Sequence, residues 1–362
     1  MQTKKLSLLL GALSLIAAAA AQQQPATDPR LKRFDTNGDG VIDAAEKNAV
    51  RARVREQASR GRQEPKPGFD IIAGRRVTEM MFPSHDGRQL RAVLSVPENM
   101  PSERIPVVVT IHGGQGNRDF GYLRTLATPP EAGAMTSSPT VAMFNEQPWA
   151  ILSIDYRQGG GNIWKDALAG IRFAKTLPGV DPDRVCAMGG SHGGKLLMEV
   201  LTTVGRDEFR CAIAGSPFQP NAYVSLVQDI DTPPLDALTP SARQVLLDIR
   251  SRMGKGSRRT KEELEANSFE THAGKVRIPT LMLASKGDDQ VPYVLLQGTI
   301  ERMQAAQAPL TLFVAEQVPH GFYWGRENAM ARVGRGERSP AEREEEARAR
   351  AEILKFLKTQ FR

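Results

Sequence analysis

The chain has 362 residues, 40% of them hydrophobic and 25% charged, with a formal net charge of +7. This is ordinary globular composition, enough for one large α/β domain and a small appendage. The basic excess lies largely in residues 51–66 and 250–261, where no aromatics interleave with the arginines, so it reads as a solvated face and nucleic acid is not an expected partner.

In chain order, the first segment reads as a secretory signal. Lys4 and Lys5 form a basic start, residues 6–16 an apolar run, and Ala19, Ala20 and Ala21 a small-residue cleavage site. The apolar run is too short for a comfortable membrane span, and no other stretch could cross a bilayer. Cleavage after Ala21 is expected to leave a periplasmic or secreted protein with no stable membrane anchor. It would remove two lysines and no acid.

Residues 27–60 form the second segment. Asp28 and Pro29 open a helix as N-cap and first-turn proline. A twelve-residue loop follows, in which Asp35, Asn37, Asp39, Asp43 and Glu46 offer side-chain oxygens. With the Val41 carbonyl and a sharp turn at Gly40, they occupy the ligand positions of an EF-hand, wrapping hard oxygen donors round one Ca2+ ion. A second helix runs to about residue 59. Only one such loop is visible, so its apolar face is expected to pack on the hydrolase domain, on a second copy of the chain (a homodimer), or on another protein. Outside the cytosol calcium is plentiful, which favours a structural site over a sensor. Residues 61–68 read as a linker.

Residues 69–362 read as an α/β domain. Strands are predicted at 77–82 and 90–96, joined as a hairpin through His85, Asp86 and Gly87. Further strands are predicted at 107–111, 150–154, 184–188, 211–214, 280–284 and 310–314, with helices at 162–177, 195–201, 291–307 and 341–361. Strands alternating with helices imply a mainly parallel sheet flanked by helices. A Pro-rich, polar excursion over 217–275 reads as a lid and acyl pocket. Cys186 and Cys211 fall in two predicted core strands. Export permits a bridge, but the plain expectation is two buried thiols.

The chemistry-bearing motif is Gly189-Gly190-Ser191-His192-Gly193-Gly194, between a strand and a helix. Glycines two before and two after Ser191 let strand and helix approach closely, lifting the serine clear of the sheet as a nucleophile elbow does. The serine needs a base, and the chain has five histidines. His85 lies in a hairpin turn, His192 adjoins the serine, and His272 lies in the excursion. His112 begins the run His112-Gly113-Gly114. His320, in a loop after the last predicted strand, can reach over the strand ends. Asp288 and Asp289 both qualify as the acid that orients it. The order serine, acid, histidine is that of the α/β-hydrolases. Backbone N–H groups of Gly114 and His192 are the candidate oxyanion hole.

These phrases, together with Asp155-Tyr156-Arg157, Asp288-Asp289-Gln290-Val291-Pro292 and His320-Gly321-Phe322, resemble the catalytic domain of the prolyl oligopeptidase family and neighbouring dienelactone-hydrolase-like enzymes. The resemblance covers residues from about 75 to 361. It implies the α/β-hydrolase fold and a triad of Ser191, Asp288 and His320. It favours Asp288 over Asp289, because the family's acid usually stands three residues before a Val-Pro. Two departures stand out. The residue after the serine is often tyrosine in the family and is His192 here. Members often carry a β-propeller, and the roughly 70 residues before this domain are too few for one.

The expected function is an exported serine hydrolase that forms an acyl-enzyme on a peptide or ester substrate, most like a serine peptidase of that family. A carboxylesterase acting on small or carbohydrate-linked esters is the near alternative. A calcium-dependent binding protein on an inactive hydrolase fold is the alternative of another class, and it would predict a broken triad.

Overall fold

Runs such as Ile105–Ile111 and Ala150–Ile154 are apolar throughout, which suits strands covered on both faces. The computed structural model describes residues 64–129, 138–158, 162–218, 243, 269–325 and 338–362. The signal segment, the EF-hand segment, residues 61–63 of the linker and residues 219–268 of the excursion (Arg243 apart) lie outside them. The chain divides between Glu64 and Pro65, and the second unit is described below.

That unit is built on a nine-stranded sheet. In chain order the strands are β1 (Asp70–Ile72), β2 (Arg75–Pro83), β3 (Gln89–Pro97), β4 (Ile105–Ile111), β5 (Ala150–Ile154), β6 (Val180–Gly190), β7 (Cys211–Gly215), β8 (Thr280–Ser285) and β9 (Leu310–Ala315). Their spatial order is β1-β2-β3-β5-β4-β6-β7-β8-β9. The pairs from β1 to β5 are antiparallel, and β5, β4 and β6 to β9 run parallel. This mixed sheet with helices on both faces is consistent with an α/β-hydrolase fold.

The helices are α1 (Phe120–Arg124), α2 (Pro139–Asn145), α3 (Trp164–Ala174), α4 (His192–Leu201), α5 (Phe269–His272), α6 (Val294–Ala305) and α7 (Pro340–Gln360). Alternation along β4 divides the core. Val107, Val109 and Ile111 face a cluster with Ile171 of α3, Leu197 of α4 and Leu296 of α6. Val108 faces a second cluster with Leu123 of α1, Phe144 of α2 and Ile353 of α7. Among the described residues no helix is long and apolar enough to cross a membrane.

Two departures from the sequence reading have physical causes. Cys186 and Cys211 are bridged, not free. They are direct register partners on the parallel neighbours β6 and β7, with Cα atoms 4.6 Å apart, inside the span a disulfide needs. The excursion also ends earlier than expected: Phe269 is buried and α5 packs beside α6.

Candidate active site

Ser191 stands at the turn from β6 into α4 with φ 54° and ψ −120°, a conformation that costs about 1–3 kcal/mol and persists only where the surroundings enforce it. They do so through glycines that admit no side chain. A Cβ on Gly189 would stand 2.6 Å from the Gly193 carbonyl carbon, and one on Gly193 would stand 2.9 Å from that of Ile111. The Ser191 N–H donates to Gly215 O at 2.8 Å, fixing the elbow to β7.

The structure joins His320 to Asp288. His320 Nδ1 lies 2.8 Å from Asp288 Oδ2 and 3.1 Å from Oδ1. The carboxylate accepts, so Nδ1 carries the proton and Nε2 the lone pair, the tautomer a base requires. Asp288 Oδ1 also accepts from the N–H groups of Gln290 (2.9 Å) and Val291 (2.8 Å), which hold the acid still. Asp289 contributes charge near His320, whereas Asp288 makes the bond. Burial pulls the His320 imidazolium down, but the charge and hydrogen bond of Asp288 outweigh it, so the net shift is upward from 6.5.

Tyr323 brings the His320 loop to the elbow, and sequence reasoning missed it. Its ring stands edge-on to His320, with centroids 6.0 Å apart. It fills the space that side chains on Gly190 and Gly215 would occupy. The Ser191 backbone hydrogen-bonds to its hydroxyl.

The His112-Gly113-Gly114 loop leaves β4 beside the elbow; a Cβ on Gly113 would stand 3.3 Å from Ser191 Cβ. His112 is fully buried, stacked on Tyr156 and bonded through Nε2 to Asp155 at 3.1 Å. Asp155 also accepts from the Arg118 N–H at 3.0 Å. The Gly114 carbonyl accepts from the Tyr156 hydroxyl and from His192 Nδ1, each at 2.7 Å. His192 therefore keeps its proton on Nδ1, and burial lowers its pKa to about 4. His192 is also the first residue of α4, so its N–H has no acceptor inside the helix. The His192 N–H next to Ser191 is thus a candidate oxyanion donor, and Gly114, the other expected donor, sits on a loop whose carbonyl is held by Tyr156 and His192.

The remaining motif phrases hold this frame together. Arg157 donates to Asp86 (2.7 and 2.9 Å) and Asp166 (2.7 and 2.8 Å), tying the β2–β3 turn to the end of β5 and the start of α3. Ser84 closes the same network on Asp166. Among the described residues no cluster of His, Cys, Asp or Glu could hold a metal ion.

A serine raised on a strained turn, a histidine bonded to a buried aspartate and a glycine loop against the elbow define a serine hydrolase. The chain belongs to the prolyl oligopeptidase family, whose model matches residues 152–334. It is 26% identical over 259 residues to the dipeptidyl aminopeptidase BIII of Pseudoxanthomonas mexicana, covering 66% of this chain and 34% of that one. It is also 26% identical over 196 residues to a probable carboxylic ester hydrolase, LipM, of Mycobacterium tuberculosis, covering 51% and 44%. The chain thus spans about a third and under half of these two relatives' own lengths. Among solved structures, the Pyrococcus horikoshii acylaminoacyl peptidase superposes with TM-score 0.54 at 16% identity, covering 80% of this chain and 42% of that one. A Mycobacterium tuberculosis puromycin-hydrolyzing peptidase does so with TM-score 0.54 at 17% identity, covering 80% and 40%. These two likenesses speak to the fold.

Proposed function

We propose that the protein is an exported serine peptidase that uses Ser191, His320 and Asp288 as a triad. The observation that carries this is the Asp288–His320 pair at 2.8 Å, on a loop pinned by Tyr323 to the strained elbow of Ser191. Ser191 Oγ attacks the carbonyl carbon of the scissile bond as its proton passes to His320 Nε2. The N–H groups of Gly114 and His192 receive the negative charge that develops on the carbonyl oxygen. His320 then gives the proton to the leaving group as the bond breaks. Water attacks the acyl-enzyme, its proton taken by His320 and returned to Ser191. Asp288 stays ionised, orienting the imidazole and stabilising its charged form.

Export is supported by the basic, apolar and small-residue pattern of residues 1–21, and by the Cys186–Cys211 bridge, which an oxidising compartment favours. We assign Ca2+ binding to Asp35, Asn37, Asp39, Val41, Asp43 and Glu46 on spacing alone, with a structural role. The domain limits above, with signal, EF-hand, linker and hydrolase in that order, belong to the same proposal, as does packing of the single EF-hand within the chain or across a homodimer.

Similarity to a carboxylic ester hydrolase over half the chain favours esterase activity as the second reading. Hydrolysis of short-chain p-nitrophenyl esters and of a panel of peptidyl p-nitroanilides, each against Ser191→Ala, separates the two. Amide turnover that Ser191→Ala abolishes is the expected result. Ester turnover alone would establish the esterase.

A further inference from the structure

Helix α7 carries an irregularity in its buried stripe. Residues 345, 349, 353 and 357 follow one another at four-residue spacing on one face. Ala349, Ile353 and Leu357 are fully buried in the second core cluster, and the residue that continues the stripe toward the helix start is Glu345, only 4% exposed. A carboxylate in a buried stripe is costly unless hydrogen bonds replace its water. Glu345 has three. Its Oε1 accepts from the N–H of Glu316 at 2.9 Å, and its Oε2 from those of Gln317 at 2.9 Å and Val318 at 3.3 Å.

Those three residues lead directly into His320. The Val318 carbonyl accepts from Ser285 Oγ at 2.6 Å, and Ser285 Oγ accepts from the Gly287 N–H at 3.1 Å, one residue before Asp288. Gly287 is pressed against this loop; a Cβ on it would stand 2.5 Å from the Gln317 carbonyl carbon. Both peptide groups of Val318 are therefore held. The one residue between it and His320 is Pro319, whose ring fixes φ. A continuous set of bonds runs from α7 through the histidine loop to the acid loop. Helix α7 is itself fixed by a capping box between Ser339 and Glu342, with Pro340 in the first turn.

We propose that Glu345 is a positioning residue for His320: from α7 it sets the height of the histidine loop against the acid loop, and so the closeness of His320 to Asp288. The proposal rests on the triad reading above. It predicts a kinetic signature that loss of stability does not produce. If Glu345 lets go, His320 moves away from Asp288 and loses part of the interaction that raises its pKa. The groups facing His320 are Asp288, Asp289 and Tyr323; Glu345 itself faces Arg348 at 3.6 Å, and Lys286 pairs with Glu316 at 2.8 Å on the loop surface. Glu345→Gln removes only its own pairing with Arg348 and leaves Asp288, Asp289, Tyr323 and the Lys286–Glu316 pair in place.

The test is the pH profile of kcat/KM for p-nitrophenyl acetate, with kcat normalised to active sites counted by fluorophosphonate labelling. Wild type, Glu345→Gln, Ser285→Ala and His320→Gln are compared, each with its Tm. For Glu345→Gln we expect kcat per site lower by roughly 10- to 100-fold, KM little changed, and an acid limb moved to lower pH. Ser285→Ala should move the limb the same way by less, and it decides the matter if Glu345→Gln does not fold. A lower Tm with kcat per site and acid limb unchanged would overturn the proposal. His320→Gln keeps the two ideas apart. An inactive His320→Gln beside an unaltered Glu345→Gln contradicts the positioning role alone, whereas an active His320→Gln contradicts the triad.

Discussion

His320 and His192 are held in opposite electrostatic settings. Asp288 raises the first and burial lowers the second to about 4. The first difference sets activity. A base must be neutral, so kcat/KM is expected to fall on the acid side with an apparent pKa above 6.5, the ordinary histidine value. Asp288→Asn should lose on the order of 10⁴ in kcat, because the amide no longer enforces the Nδ1–H tautomer. A pH–rate profile of the two proteins checks both. The second difference sets stability. Between about pH 6.5 and 4 an unfolded His192 takes up a proton that the folded one refuses, so stability drains as pH falls through that window. His112, buried and lowered too, acts in the same direction, and His320 acts in the other. The contribution of His192 alone is therefore the difference from His192→Gln. That variant should lose up to about 3 kcal/mol less than wild type between pH 6.5 and 4, read by urea denaturation at each pH.

The elements that position these residues depend on close approach more than on helix or strand preference. Gly193→Ala would press a methyl into the carbonyl groups at the end of β4. We expect a loss of at least ~1–3 kcal/mol, with activity falling further than stability because Ser191 is displaced as well. Thermal unfolding beside a rate measurement tests this. The Cys186–Cys211 bridge ties β6, which carries the elbow, to β7, which receives the Ser191 N–H. Opening it by Cys186→Ser with Cys211→Ser should cost about 2–4 kcal/mol. In the native protein neither sulfur should react with alkylating agents before reduction, which mass spectrometry would show. Long apolar strands such as β4 and β5 could be read from composition, and so could Ser191, His320 and the acid pair, because short-range motifs mark them. Strand β1 escaped because Asp70–Ile72 is only three residues long. Helices α1 and α2 escaped because each is a turn or two, although the N-caps Asp119 and Ser138, the latter followed by Pro139, were signals in plain view. Tyr323 and Glu345 left no local trace: each acts on residues distant in sequence, which only folding brings near.

For the molecule as a whole, the three residues of the proposed triad follow the C-terminal ends of the parallel strands β6, β8 and β9. The excursion over 217–275, expected to form the lid and acyl pocket, lies outside the described residues over 219–268 apart from Arg243, and the ester–amide comparison tests the substrate class directly. The proposed EF-hand makes a separate prediction. Chelation should lower the Tm of the full chain, and Glu46→Gln should abolish that response while leaving ester or amide turnover largely intact, as a structural site requires. Calorimetric titration with Ca2+ checks it without reference to catalysis.

The most direct measurement is covalent labelling of the purified protein by a fluorophosphonate, followed by mass spectrometry of the modified peptide. The triad predicts one adduct, on the peptide bearing Ser191, formed slowly or not at all in His320→Gln and absent in Ser191→Ala. Undiminished labelling of Ser191→Ala, or an adduct on any other serine, would contradict it.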